Sequence, residues 1–392
     1  MVAPGDITHQ AFFSMTKSEQ ADLIWEFLFR RRTPISEAQI GVLTTLQKLG
    51  LDDLIRNKDL GPIRSWFQNQ NPSEHAEKVF RISKVKYCVM TNIPFDERET
   101  SKWVRDTTSP IVNEKFLADD LLPQTYDKER FKTALRVDPL LNGDWETISN
   151  CLEQRGLPLT LEGARSFLVA WAIVYQAEYL MASTPEIFGY HETDTGPKGK
   201  DKSGKSWPTA TELIDQVMIP VAKRLGLPIA MKFGACRGMQ PGLDPCGGGD
   251  GVTVADTRPL KKMCQLYPRV KFLATFLSKV NQHEICVMGQ KFRNLHIYGC
   301  WWYLNNPSMI ESITRMRLEL LGTAFTSQHS DARIMDQLVY KWEHSRRSIT
   351  KALVKQFQQL MMTGWMLTKE DVEKDVERLL GGAYTEFMEK KL

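Results

Sequence analysis

Tyr87-Cys88-Val89-Met90 is where the chain changes its pattern. Ahead of it the apolar residues follow a helical period; from it onward, short runs of strand-forming residues recur with helical stretches between them. Those runs are Phe131 to Val137, Ala177 to Ala182, Pro228 to Phe233, Lys271 to Phe276, Leu295 to Trp301 and Thr323 to Thr326. Strands alternating with helices are how a parallel sheet is written, and about seven of them predict most of an α/β (β/α)8 TIM-type barrel. The last run is followed only by helices, as the final strand of a barrel would be. The first strand is therefore expected ahead of Met1.

Upstream, residues 1–80 read as a helical region of roughly four helices. Thr16-Lys17-Ser18-Glu19 has the form of a capping box before the apolar run that contains Leu23, Ile24 and Phe27. Downstream, Ile349 to Met362 is helical and stops at Gly364; Thr368 caps a further helix over Val372 to Leu380, closed by Gly381-Gly382. The expected division is 1–80 helical, 81–345 barrel strands two to eight, and 346–392 C-terminal helices. The last of these would clad the barrel or form an oligomer surface, so a homo-oligomer is expected.

Composition narrows the function classes. With 392 residues, 42% hydrophobic and 25% charged, the chain can bury a full core. Its 51 basic and 47 acidic residues leave a net charge of +4, too little for the global field that nucleic-acid binders use. The seven cysteines are scattered, with no C-x-x-C pair, which fits a reducing compartment. The first residues lack the pattern of a signal peptide, and the longest apolar run, Phe167 to Tyr175, is far short of the roughly 20 residues of a membrane helix. A cytoplasmic protein with no membrane or nucleic-acid partner is expected.

Gly199-Lys200-Asp201-Lys202-Ser203-Gly204-Lys205-Ser206 matches the phosphate-loop pattern by letter. Its flanks are wrong, since such a loop needs a buried strand before it and a helix start after it, so it reads as a basic surface loop. The glycine-rich Cys246 to Gly251 stretch reads as a lid on the face where barrels bind substrates.

His329-Ser330-Asp331-Ala332-Arg333 lies just after the last run, at the barrel end where catalytic residues gather. If the backbone stays extended, His329, Asp331 and Arg333 alternate onto one face. Such a carboxylate can ligate a divalent metal or act as a base, and the arginine can hold a substrate carboxylate; a structural Asp–Arg pair is the competing reading. Arg136 and Asp138 end an earlier strand, as a functional pair or a surface salt bridge. Lys232 and Arg237 flank the next strand end, to bind an anion or pair with an acid. Gly299-Cys300-Trp301-Trp302-Tyr303 ends another strand with aromatics that suit a sugar pocket or core packing.

These segments resemble the uronate isomerases of the amidohydrolase superfamily. Leu135-Arg136-Val137-Asp138-Pro139 is similar to their R-P-D segment, Phe233-Gly234-Ala235-Cys236-Arg237 to H-x-G-A-x-R, Gly299-Cys300-Trp301-Trp302-Tyr303 to G-x-W-W-F, and Ser330-Asp331-Ala332-Arg333 to D-S-R. The matches run in order from Lys86 to Trp342. The resemblance implies an aldose–ketose isomerase of a hexuronate, such as glucuronate or galacturonate, in carbohydrate metabolism. It implies Asp331 as ligand to a divalent metal, commonly zinc; His329 has no counterpart in the family pattern and is a candidate local ligand or merely a neighbour. Arg136 and Arg333 would hold the sugar acid, Trp301 and Trp302 would line the pocket, and Arg237 completes the substrate-binding set. The chain departs from the family at three places: no His-x-His occurs in it, Lys232 stands where the fifth strand carries histidine, and the acidic T-D-D-P pair is Thr91-Asn92-Ile93-Pro94. A metal-dependent hydrolase with a carbamoylated Lys232, or a non-catalytic truncated barrel, are the alternative readings.

Overall fold

The computed structural model describes residues 7–96, 129–183, 190–191, 199–200, 204, 206–246 and 249–392. Its centre is a six-stranded all-parallel sheet in the order β1 (Cys88–Asn92), β2 (Phe131–Arg136), β3 (Tyr179–Ser183), β4 (Ile229–Phe233), β7 (Phe272–Phe276) and β8 (Leu295–Ile297). Between β4 and β7 the chain makes a short antiparallel ribbon of β5 (Ala235–Cys236) and β6 (Gly251–Val252). The seventh expected strand, Thr323 to Thr326, is reduced to one parallel bridge between Tyr298 and Thr326. Gly299, at φ +68°, turns the chain there and limits pairing to its immediate neighbours. β8 accordingly ends at Ile297, short of the expected Trp301.

Strand alternation sorts the sheet into two faces. Leu135, Leu180, Ile229, Met231, Phe272, Phe276 and Ile297 point outward into the main core, packed by helices such as Leu161–Val174. Ala134, Met181, Ala230 and Leu273 point inward and form a separate small core. Small and slender side chains suit the inner face, where the walls converge. The last helix, Ala383–Glu389, covers that inner core with Phe387, Tyr384 and Met388. Sequence reading ended the helices at Leu380. The chain instead kinks at Gly381, φ +139°, and adds this plug.

The N-terminal helices run from His9 to Ser83 and include both a Thr16–Glu19 and a Ser36–Gln39 capping box. They lean on the 26-residue helix Gln337–Met362, which starts well before the expected Ile349. Two histidine contacts tie these layers: His75 Nε2 to Asp336 at 2.8 Å and His344 Nδ1 to Glu37 at 2.6 Å. The Thr368 cap is present, with Asp371 completing its box. No helix among the described residues is long and apolar enough to cross a membrane.

Candidate active site

Two residues beyond each member of the inner core, toward the C-terminal strand ends, stand Arg136, Ser183, Lys232 and Thr275. Because side chains alternate, all four share the inner face, and the register puts Lys232 between Ser183 and Thr275. The apolar floor thus carries a polar layer with two cations in it.

Lys232 is 8% exposed and meets Asp331, 99 residues away, with Nζ 2.7 Å from Oδ1. The Trp301 ring covers the ammonium, its centroid 4.7 Å from Nζ. Burial, the largest single influence, pushes the Asp331 carboxyl up, but the charge and hydrogen bond of Lys232 together with the other positive charge around it, Lys341 included, outweigh it and hold the group below the usual carboxylate range. Asp331 is reached through a left-handed backbone, φ +47°. Lys341, on the helix Gln337–Met362, fixes that turn by donating to the carbonyls of Ser330 (2.7 Å) and Asp331 (2.8 Å). A left-handed non-glycine residue costs about 1 kcal/mol or more, and such strain persists where the surroundings impose it. The turn also breaks the expected alternation: His329, Asp331 and Arg333 do not continue as an extended strand.

His329 stays inside. Its ring stacks on Trp301 at 6.2 Å and tilts against Tyr298 at 5.3 Å, pressed over Gly299, where a Cβ would come within 2.2 Å of Cδ2. Burial pushes the imidazole well below its ordinary value, so it is neutral, and Nε2 is buried without a partner among the described residues. Arg317, fully buried, supports this corner by donating to the Gly299 carbonyl at 2.8 Å and to Gln282 at 2.9 Å.

Arg136 grips Asp138 through Nε (2.8 Å) and Nη2 (3.3 Å), and Asp138 also accepts from the Ser183 amide at 2.9 Å. Burial pushes the Lys232 amine below its ordinary value and the Asp331 carboxylate works against that; the Arg136 and Asp138 charges are felt there too, which makes the Arg136–Asp138 and Lys232–Asp331 pairs neighbours. A cavity of about 490 Å³ opens beside Arg136 and Asp138, lined also by Ile93, Phe95 and Asn150.

The other expected residues sit on the rim. Arg237 pairs with Asp250, whose second oxygen takes the Gly238 amide at 3.0 Å, and Tyr303 donates to the Asp250 carbonyl at 2.7 Å. Arg333 is exposed, its charge felt by Asp250. Trp302, stacked on Tyr303 at 4.9 Å, borders the same rim, whereas Trp301 is buried at 2% exposure against Lys232. The expected basic surface loop has Lys200 bridged to Ser206, with 201–203 and 205 outside the described residues, as are 247–248 of the expected lid.

Lys232 and Lys341 are what sequence reading placed least well. Lys232 had its strand-end position as a signal but no indication of its partner. Lys341 had none, because a lysine on a helix looks like solvated surface until the fold turns it inward.

No protein-family model matches the chain, and no curated protein matches it in sequence. Among solved structures it is similar to a uronate isomerase from Bacillus halodurans C-125, with 36% identity over 98% of this chain and 84% of that one, at a TM-score of 0.82. It shares its fold with a Thermotoga maritima uronate isomerase at 13% identity, covering 96% of this chain and 83% of that one, with a TM-score of 0.68. The Caulobacter crescentus glucuronate isomerase has a TM-score of 0.52 at 14% identity, over 80% of this chain and 67% of that one.

Proposed function

Since this chain belongs to the uronate isomerase family, we propose that it interconverts the aldose and ketose forms of a hexuronate by moving a proton between C2 and C1. The observation that carries the reading within the site is the covered Lys232–Asp331 pair beside Arg136. Isomerisation needs a base at C2, a positive group at the carbonyl oxygen and a cation for the remote carboxylate. Asp331 is an ionised carboxylate on a braced turn, suited to take and return the proton. Lys232 is the positive group next to it. Arg136 is the anchor, its planar fork matched to a carboxylate once Asp138 shares it. Trp301 and Trp302 give the sugar an apolar wall.

The family resemblance implies a divalent metal held by Asp331, and His329 is the local candidate for a second ligand. The donors present do not fit one. No group of three or more His, Cys, Asp or Glu side chains is gathered among the described residues. The cation on Asp331 is an ammonium, and a divalent ion taking the same carboxylate would lie against it. Two unit charges 4 Å apart repel by about 4 kcal/mol at an effective dielectric near 20, and a second charge on the metal doubles that. The same 2.7 Å contact argues against a carbamoylated Lys232, which would set an anion against Asp331. The hydrolase reading, which depends on a metal-activated water, is correspondingly weaker.

The test is incubation with glucuronate and with galacturonate, with and without zinc, followed by ketose detection. Ketose from either sugar supports the reading; none from both under every condition defeats it.

A further inference from the structure

The pairing of Lys232 with Asp331 goes further than the choice of reaction. We propose that the Lys232 ammonium takes the place of a metal ion in this site, so that the chain stabilises the enediolate with a lysine and works metal-free. The inference rests on the isomerase reading above.

Three observations converge on Lys232. It belongs to the inner polar layer by strand register, between Ser183 and Thr275, so it points into the barrel mouth and not into the helix layer. One of its donors is taken by Asp331 at 2.7 Å, and the indole of Trp301 lies against the ammonium at 4.7 Å, a contact that favours a cation and offers a metal no ligand. An ammonium has three N–H groups in all, so it can hold Asp331 and still donate to a developing oxyanion. The carboxylate that would have to ligate a metal is meanwhile engaged by this cation, and the nearby His329 ring is clamped between Trp301, Tyr298 and Gly299.

The step balances without a further reactant. Asp331 removes the C2 proton, and the C2–H electron pair becomes the C1–C2 double bond. The carbonyl electrons move onto O1, where Lys232 donates a hydrogen bond. The proton held by Asp331 is then delivered to C1, and the O2 hydroxyl proton passes to O1 as the C2 carbonyl forms. Nothing is oxidised or reduced overall. A largely buried ammonium next to a carboxylate base is an arrangement that stabilises charge as it develops.

The experiment uses the full chain, treated with chelator and desalted. Zinc is added and removed, retained metal is measured by mass spectrometry, and hexuronate turnover is followed with and without excess chelator. The expected result is no retained zinc and turnover indifferent to chelator. Lys232→Met should lose turnover by about 10²–10³-fold, the scale of deleting one oxyanion donor, with partial recovery in Lys232→Arg. Because Lys232→Arg keeps the charge on Asp331, it separates loss of chemistry from loss of fold. Zinc retained stoichiometrically by the native chain and lost in Asp331→Asn would overturn the proposal. So would turnover that vanishes with chelator and returns with zinc. If the native chain converts no hexuronate at all, the isomerase reading fails separately. The zinc measurement then still decides whether an ammonium or a metal sits on Asp331.

Discussion

Two carboxylate–cation pairs guard the C-terminal face, and they differ in kind. Lys232–Asp331 joins β4 to the segment after Thr326, its lysine side chain 10% exposed, under an indole. Arg237–Asp250 joins two nearby loops, with the arginine side chain 46% exposed. Both look alike as spacings of basic and acidic residues. What separates them is how far the cation is withdrawn from solvent, the carboxylates being 30% exposed at Asp331 and 13% at Asp250: an attraction is worth more where water is kept from it, and nearly nothing where it is not. The first pair is therefore read as chemistry and the second as a loop clasp.

The largest effect expected from this contrast is at Asp331. Asp331→Asn keeps the shape but removes both the base and the counter-charge of Lys232, and should lower kcat by about 10³-fold or more, measured as initial rates on the better hexuronate. An Asp250→Asn variant, cutting the rim pair in the same way, should change the rate by less than about tenfold. Equal losses at both positions would erase the distinction.

An intermediate effect is expected at Arg136. Replacing its planar fork with the single ammonium of Arg136→Lys should raise KM by about tenfold with a smaller change in kcat, the mark of an anchor for the remote carboxylate. Should kcat fall while KM holds, Arg136 belongs with the reacting atoms instead.

Lys341 gives a pH test of the brace beneath Asp331. Burial pushes its ammonium down to about 8, against an ordinary 10.5. Below the folded value the charged form is buried at a cost; between about 8 and 10.5 the folded protein releases a proton that the unfolded chain keeps, so this group's unfavourable contribution fades as pH rises. Against a Lys341→Met variant, the native chain should gain relative stability from pH 8 toward 10, by on the order of 1–3 kcal/mol in denaturant titrations. A flat difference across that range would mean that the two carbonyl contacts hold the lysine charged.

The smallest effect is expected at Arg237. Arg237→Ala should shift stability by no more than about 0.5–1 kcal/mol, read from the denaturation midpoint.

Much of the architecture was legible because a buried parallel strand leaves a dense run of apolar residues. Six such runs became β1, β2, β3, β4, β7 and β8, each within a few residues of its expected bounds. The seventh, around Thr326, survives as a bridge because pairing there is decided by the turn at Gly299, a conformational matter that composition does not carry. The plug helix after Gly381 was hidden for a similar reason: two glycines read as a stop, yet Phe387 had an inner core to fill.

The site was legible at its strand ends and illegible across them. Arg136, Trp301 and Asp331 were singled out from position, because barrels collect function at that face, and the structure brings Trp301 and Asp331 to Lys232 with the Arg136 charge close by. That Lys232 would meet Asp331 depends on a contact spanning 99 residues, and that Arg333 would swing to the rim depends on one left-handed residue. Neither is a local pattern.

One measurement bears most directly on the site: conversion of glucuronate or galacturonate to its ketose by the chelator-treated chain, followed in deuterated water by proton resonance. Ketose should appear, with the hydrogen that reaches C1 derived from C2 or from solvent. If neither sugar forms ketose, with chelator or with zinc restored, the account of this site as a hexuronate isomerase is contradicted.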